Sequence, residues 1–256
     1  MLLVMDIGNS QTVVGVYDDE RLMRHWRVST EARRTSDELA LQLEGLLTLM
    51  DLSLSRHVTG VAISSVVPQL TEAFRQMADR YLEVAPIVVG PGIRTGMAIR
   101  TDNPREVGAD RLVNALAAFN KYGGPGIVVD FGTATSFDVY DASGAFLGGA
   151  IAPGVQTSMA ALSARGAQLG AVELIRPVHA IGRSTVESMQ SGAIYGFAGQ
   201  VDRLIETITD ELPTAPVVVV ATGGLAPAIT DACRQIDHHD QWLTLRGLRL
   251  VWERNR

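Results

Sequence analysis

Leu2-Leu3-Val4-Met5-Asp6-Ile7-Gly8-Asn9-Ser10 opens the chain, and Ile127-Val128-Val129-Asp130-Phe131-Gly132-Thr133 repeats its pattern near the midpoint. In each, a short apolar run reads as a buried strand, an aspartate ends it, and a glycine begins a tight turn. The first turn leads into a second strand over Thr12 to Tyr17, and Asp18-Asp19 turns the chain into a third near Leu22 to Val28. The later copy keeps this order, with Tyr140-Asp141 standing where Tyr17-Asp18 stands after one residue's difference in spacing. Each copy then runs through helices to a late strand of small residues. That strand is Ala62-Ile63-Ser64-Ser65 in the first copy and Val220-Ala221-Thr222-Gly223-Gly224 in the second. Repetition on this scale predicts a duplicated α/β lobe, divided at about residues 1–119 and 120–256.

The helices follow from apolar spacing. Thr35 and Glu38 make a capping-box pattern ahead of Leu39, Leu43, Leu46 and Met50, which share one helical face. Val58 to Val67 reads as a buried strand, Phe74, Met77 and Tyr81 mark another helix, and Ile87 to Val89 is a short strand ended by Gly90-Pro91-Gly92. The connector from Asp102 to Arg111 runs into Leu112, Ala115, Leu116 and Phe119 at helical spacing. Ser184 and Glu187 open a second long helix carrying Ile194, Phe197, Val201, Leu204 and Ile208, in which Gly192, Gly196 and Gly199 are expected to allow close backbone packing.

Composition narrows the function. With 256 residues and 46% apolar side chains, the chain can bury one large core or two modest ones. Its 22 basic and 28 acidic residues leave a net charge of -6, which opposes binding to a nucleic-acid backbone, and no basic patch reverses it. Cys233 stands alone, so neither an intrachain disulfide nor a cysteine-rich zinc site can form, and a buried structural thiol is expected. Asp6 interrupts the opening apolar run before a signal-peptide core can form, and no run reaches the roughly 20 apolar residues of a membrane span. A cytoplasmic protein with no membrane partner is the expectation. His238-His239 reads as a polar loop, since no second cluster completes a metal site; His25, His57 and His179 are isolated.

The two turns carry the chemistry. Gly8 lets the backbone approach a phosphate, while nearby amides and the Asn9, Ser10 and Thr12 side chains can donate to its oxygens. One such turn alone is an ordinary hairpin. Two copies facing across a cleft would supply two phosphate loops and two carboxylates for cations, which suits phosphoryl transfer. Neither turn matches a P-loop or a dinucleotide fingerprint. The pattern resembles the actin-like, sugar-kinase and heat-shock ATPase superfamily, which implies two ribonuclease-H-like lobes with ATP between them. Asp110, in the first turn of a predicted helix, is either a general base or a helix-end carboxylate. Arg111 beside it can bind a substrate carboxylate or pair with Glu106.

Asp6-Ile7-Gly8-Asn9-Ser10, Gly90-Pro91-Gly92-Ile93, Asp102-Asn103-Pro104-Arg105-Glu106-Val107-Gly108-Ala109-Asp110-Arg111 and Val129-Asp130-Phe131-Gly132-Thr133-Ala134-Thr135 together resemble type III pantothenate kinases. The agreement continues through Thr222-Gly223-Gly224-Leu225 and Leu243 to Leu248. That resemblance implies ATP contacts from Asp6, Ile7, Gly8, Asn9, Ser10, Gln11, Thr12, Val13 and Thr133. It implies pantothenate contacts from Gly108, Ala109, Asp110, Arg111 and Thr185, with Asp110 accepting the hydroxyl proton. It also implies a potassium or ammonium ion at Asp130, magnesium with Asp6 as a candidate contact, and a homodimer. Thr101 departs from the aromatic residue expected in many members. A sugar kinase and a nucleotide-binding regulator are the rivals, and the presence of Asp6, Asp110 and Asp130 together favours catalysis.

Overall fold

A computed structural model describes residues 1–166, 169–213 and 217–256. The chain begins with strands β1 (Leu2–Ile7), β2 (Gln11–Asp18) and β3 (Arg21–Ser29), then helices α1 (Ser36–Thr48) and α2 (Leu54–His57). Strand β4 (Gly60–Ser65), helix α3 (Pro68–Leu82), strand β5 (Ile87–Val88) and helix α4 (Ala109–Tyr122) follow. The later half contains β6 (Gly126–Phe131), β7 (Ala134–Tyr140), β8 (Phe146–Pro153), α5 (Val155–Arg165), α6 (Thr185–Glu211), β9 (Val218–Thr222), α7 (Ala226–Ile229), β10 (His238–His239) and α8 (Leu243–Asn255).

The two sheets have the same topology. Their strand orders are β3-β2-β1-β4-β5 and β8-β7-β6-β9-β10. Central strand β1 is antiparallel to β2 and parallel to β4, as β6 is to β7 and β9. This is the duplicated actin-like, ribonuclease-H-like architecture. The correspondence extends to register: Asp6 lies between Val13 and Ser64, and Asp130 between Ser136 and Thr222. Each second strand has a register shift just before its tyrosine, Tyr17 or Tyr140, so the local bulge is duplicated as well.

Packing divides the described chain into two units: Met1–Met97 with Asp102–Ala117 and Leu243–Arg256, and Ala98–Thr101 with Ala118–Trp242. In the first, Leu3, Met5 and Ile7 of β1 are buried with Leu39, Leu43 and Leu47 of α1 and Phe74 and Met77 of α3. The opposite face of that sheet takes α8. A Cβ added at Gly15 would meet Leu245, and one at Gly60 would meet the Trp252 ring. A boundary at 119/120 assigns α8 to the later half, whereas its packing joins it to the first sheet. Chain order does not reveal which sheet a late apolar helix covers. In the second unit, Ile127, Val129, Phe131 and Phe137 pack with Ala193, Ile194, Ala198 and Val201 of α6.

Local signals vary in their outcome. Thr35 forms a complete capping box, its Oγ1 accepting from Glu38 N and its own N donating to the Glu38 carboxylate. Ser184 caps α6 through Glu187 N, but the Glu187 carboxylate accepts from Arg183 N at 2.7 Å rather than from Ser184. Gly192, Gly196 and Gly199 do not mediate close packing, because a Cβ at each would meet nothing within 4 Å. His238-His239 is a short strand paired with Val220 and Ala221 instead of a loop, and His238 stacks on Tyr122 with ring centroids 4.5 Å apart. Cys233 is half-buried; burial, then the Asp202 carboxylate, pushes its thiol up to about 12. Among the described residues, no helix is long and apolar enough to cross a membrane.

Two glycine substitutions test this packing in opposite directions. A Cβ at Gly247 of α8 would collide with the Val113 carbonyl oxygen, so Gly247→Ala is expected to destabilise by about 1–3 kcal/mol despite its helical gain. Gly45 lies inside α1 with nothing within 4 Å of its Cβ position, so Gly45→Ala is expected to stabilise by about 0.5–1 kcal/mol. Urea midpoints of the two variants and the wild type provide the measurement.

Candidate active site

The first turn is anchored at its base and open at its tip. Gly8 N donates to Gln11 O at 3.1 Å, Thr30 N donates to Ser10 O at 3.1 Å, and the Thr12 and Thr30 hydroxyls lie 2.9 Å apart. Thr12 is buried, while Asn9, Ser10 and Gln11 are exposed. Ile7 faces the core, Asp6 and Val13 are half-buried register partners, and a Cβ at Gly8 would lie only 3.0 Å from Gln11 O. This turn offers side-chain donors to solvent from a fixed backbone, as a phosphate loop requires.

The second turn is one residue shorter and more tightly supported. Gly132 N donates to Ala134 O at 3.0 Å, and Thr133 O accepts from Gly154 N at 3.1 Å and from Thr157 Oγ1 at 2.7 Å. The start of α5 therefore fixes Thr133 from behind, leaving its side chain exposed. Gly154 is required here because a Cβ would run into the carbonyl oxygens of Gly132 and Thr133. At the base of the same turn, Gly223 adopts φ +94, and a Cβ there would strike Asp130 Oδ1. The Asp130 carboxylate thus lies against bare backbone, with Ser136 and Thr222 as its neighbours on the adjoining strands. Carboxylate and hydroxyl oxygens are hard donors, so this set fits a hard cation and not a thiophilic metal.

Gly108–Arg111 forms the entry to α4. Leu112 N donates to Gly108 O at 3.2 Å, while Asp110 Oδ1 accepts from Arg111 N at 2.9 Å. A Cβ at Gly108 would stand 2.5 Å from that same Oδ1. Glycine therefore leaves room for the carboxylate to bend back over the helix start, with Ala109, Asp110 and Arg111 all half-buried. Glu106 Oε1 accepts from Asn103 Nδ2 at 2.6 Å, which commits it to the connector.

Thr185 begins α6 and borders a cavity of about 750 Å³ between α5 and α6, alongside Ser158, Met159, Arg183 and Phe197. The α5 lining was not legible in the sequence; small residues at so many of its positions blur the apolar period. At the other end of α4, Lys121 Nζ lies 2.6 Å from the buried Asp240 carboxylate. Burial opposes the Lys121 charge, but its bonds to Asp240 and Tyr122 prevail and hold its pKa above the ordinary value.

The profile of type III pantothenate kinases matches residues 2–207. A type III pantothenate kinase of Acidothermus cellulolyticus is 54% identical over 256 residues, covering 100% of this chain and 99% of the relative. The chain belongs to the type III pantothenate kinase family. The wider fold extends to more distant proteins. The activator of the 2-hydroxyisocaproyl-CoA dehydratase from Clostridium difficile superposes with a TM-score of 0.59 at 13% identity, covering 99% of this chain and 94% of its own. The ROK hexokinase from Thermus thermophilus gives 0.53 at 14%, covering 99% of each chain. At those identities the likeness concerns fold alone, whereas membership of the family makes this chain a kinase.

Gly223→Ala tests the geometry at Asp130. A side chain forced into a left-handed backbone and against Oδ1 is expected to cost about 1–3 kcal/mol and to displace the carboxylate. A lowered melting temperature together with at least a tenfold loss of turnover is the expected outcome.

Proposed function

We propose that the protein transfers the γ-phosphoryl group of ATP to the primary hydroxyl of pantothenate, forming 4'-phosphopantothenate in the first step of coenzyme A biosynthesis. The observation that carries this reading is the start of α4, where one turn presents Asp110 and Arg111 side by side. Arg111 N occupies Asp110 Oδ1, which leaves Oδ2 to accept the hydroxyl proton as the nucleophilic oxygen forms its bond to phosphorus. The Arg111 guanidinium matches the pantothenate carboxylate by paired hydrogen bonds. Gly108 and Ala109 let the substrate approach the helix start, and Thr185 adds a hydroxyl contact.

ATP binding is assigned to Asp6 through Val13 and to Thr133. Backbone amides and the exposed Asn9 and Ser10 side chains hold phosphate oxygens in place, with the buried Thr12 hydroxyl bracing the turn against Thr30; such positioning is most of what a loose phosphoryl-transfer transition state asks of a protein. Asp6 would hold magnesium and Asp130 a potassium or ammonium ion. Bound there, the cations would neutralise charge on the phosphates. The protein is further read as a cytoplasmic homodimer. Support for self-association comes from Ile151, Val178 and Ile181 of the second unit, large apolar side chains that are 66%, 90% and 85% exposed.

Turnover of pantothenate against a panel of hexoses tests the substrate, with pantothenate alone expected to react; equal turnover of a hexose would overturn the assignment. Asp110→Asn tests the base. It should fold and bind ATP, yet lose on the order of 10²- to 10⁴-fold in kcat. A late proton transfer draws the loss toward the lower figure. Near-normal kcat would make Asp110 a helix-end carboxylate, and measuring KM separately isolates any change in pantothenate binding.

A further inference from the structure

Asp138 has no part in the scheme above and Ser136 entered it only as a neighbour of Asp130, yet both share the strand face of that aspartate. On β7, Ser136 pairs in register with Asp130, and Asp138 pairs with Val128 two residues along. Asp138 is fully buried, and its Oδ2 accepts a hydrogen bond from Ser136 Oγ at 3.2 Å. The equivalent positions in the first sheet are Val13 and Gly15. The same bulged strand therefore closes there with no polar side chain at either position, so the fold itself does not require the pair.

A serine hydroxyl has one proton and two lone pairs. With that proton donated to Asp138, only lone pairs remain for a further partner. Side chains directly opposite on antiparallel strands stand about 4.5–5.5 Å apart at Cβ, which puts this acceptor beside the Asp130 carboxylate. Gly223 passes along the other side of Asp130 Oδ1 with no side chain to fill the space there. Oxygens that can only accept suit a hard cation and would disfavour a ligand that needs donors.

We propose that Ser136, held as an acceptor by Asp138, is a second oxygen ligand for the monovalent cation at Asp130, and that Asp138 is the positioning residue that fixes it. This rests on the assignment of a cation to Asp130. The test is a thermal-shift titration of the purified protein with potassium chloride, choline chloride keeping ionic strength constant. Potassium should raise the wild-type melting temperature saturably, and Asp130→Asn should abolish the rise. Ser136→Ala and Asp138→Asn should each raise the half-saturating potassium concentration on the order of 10- to 100-fold, as loss of an orienting partner does at metal sites. Ser136→Thr, which keeps the hydroxyl, should restore the wild-type value.

A merely structural Asp138 would lower the melting temperature in choline while leaving half-saturation unchanged. If Asp130→Asn abolishes the response while Ser136→Ala and Asp138→Asn keep wild-type half-saturation, the present proposal is overturned and the Asp130 site survives. Absence of any potassium response in the wild type removes both. Should Asp138→Asn fail to fold, Ser136→Ala decides the question by itself.

Discussion

Everything in this protein depends on two strands, β1 and β6, each hydrogen bonded along both edges, so that neither can slide. A slip of one residue would carry Asp6 or Asp130 to the opposite face of its sheet and bring Ile7 or Phe131 out of the core. The apolar residues that alternate with the aspartates prevent it: Leu3, Met5 and Ile7 in one sheet and Ile127, Val129 and Phe131 in the other are all buried. Burial of a side chain of this kind contributes about 1.5–3 kcal/mol. Three per strand therefore outweigh any single polar contact at the strand end. The carboxylates are held in place by the hydrophobic residues between which they stand.

Duplication fixed the frame and left the faces to diverge. In the first sheet Gly15 admits Leu245, and α8 covers the face of Asp6 with apolar surface. At the matching place in the second sheet stands Asp138, buried and bonded to Ser136. The turns differ as well. The first ends in three exposed residues able to reach phosphate, and the second is shorter and braced by Gly154 and Thr157. One geometry thus carries an open turn in the first sheet and a braced one in the second.

Much of this was readable from residue order. The matched aspartate, glycine and tyrosine positions revealed the repeat and its order, though not its strand register, and Thr35 with Glu38 marked a helix start that forms as expected. The placement of α8 was not readable, since an apolar stripe specifies burial and not the sheet that provides it. Nor was β10, because two exposed histidines lack the alternation of a strand and pair only through the backbone of β9. At the site, Asp110 in its helix start was legible from chain order. The role of Gly108 as the space for that carboxylate, of Gly154 behind Thr133 and of Gly223 against Asp130 required coordinates. A glycine in sequence does not say what would fill the place of its Cβ.

The central claim is that this frame performs phosphoryl transfer to one hydroxyl of an acid-bearing substrate, and the most direct measurement is identification of the product. Purified protein, magnesium-ATP and pantothenate would be incubated, and the mixture analysed by mass and by phosphorus–proton coupled magnetic resonance. The account predicts a single phosphomonoester of pantothenate, coupled to the protons of the primary alcohol carbon, formed in equal amount to ADP. ADP released without a phosphorylated pantothenate, or a phosphate attached at the secondary hydroxyl, would contradict it.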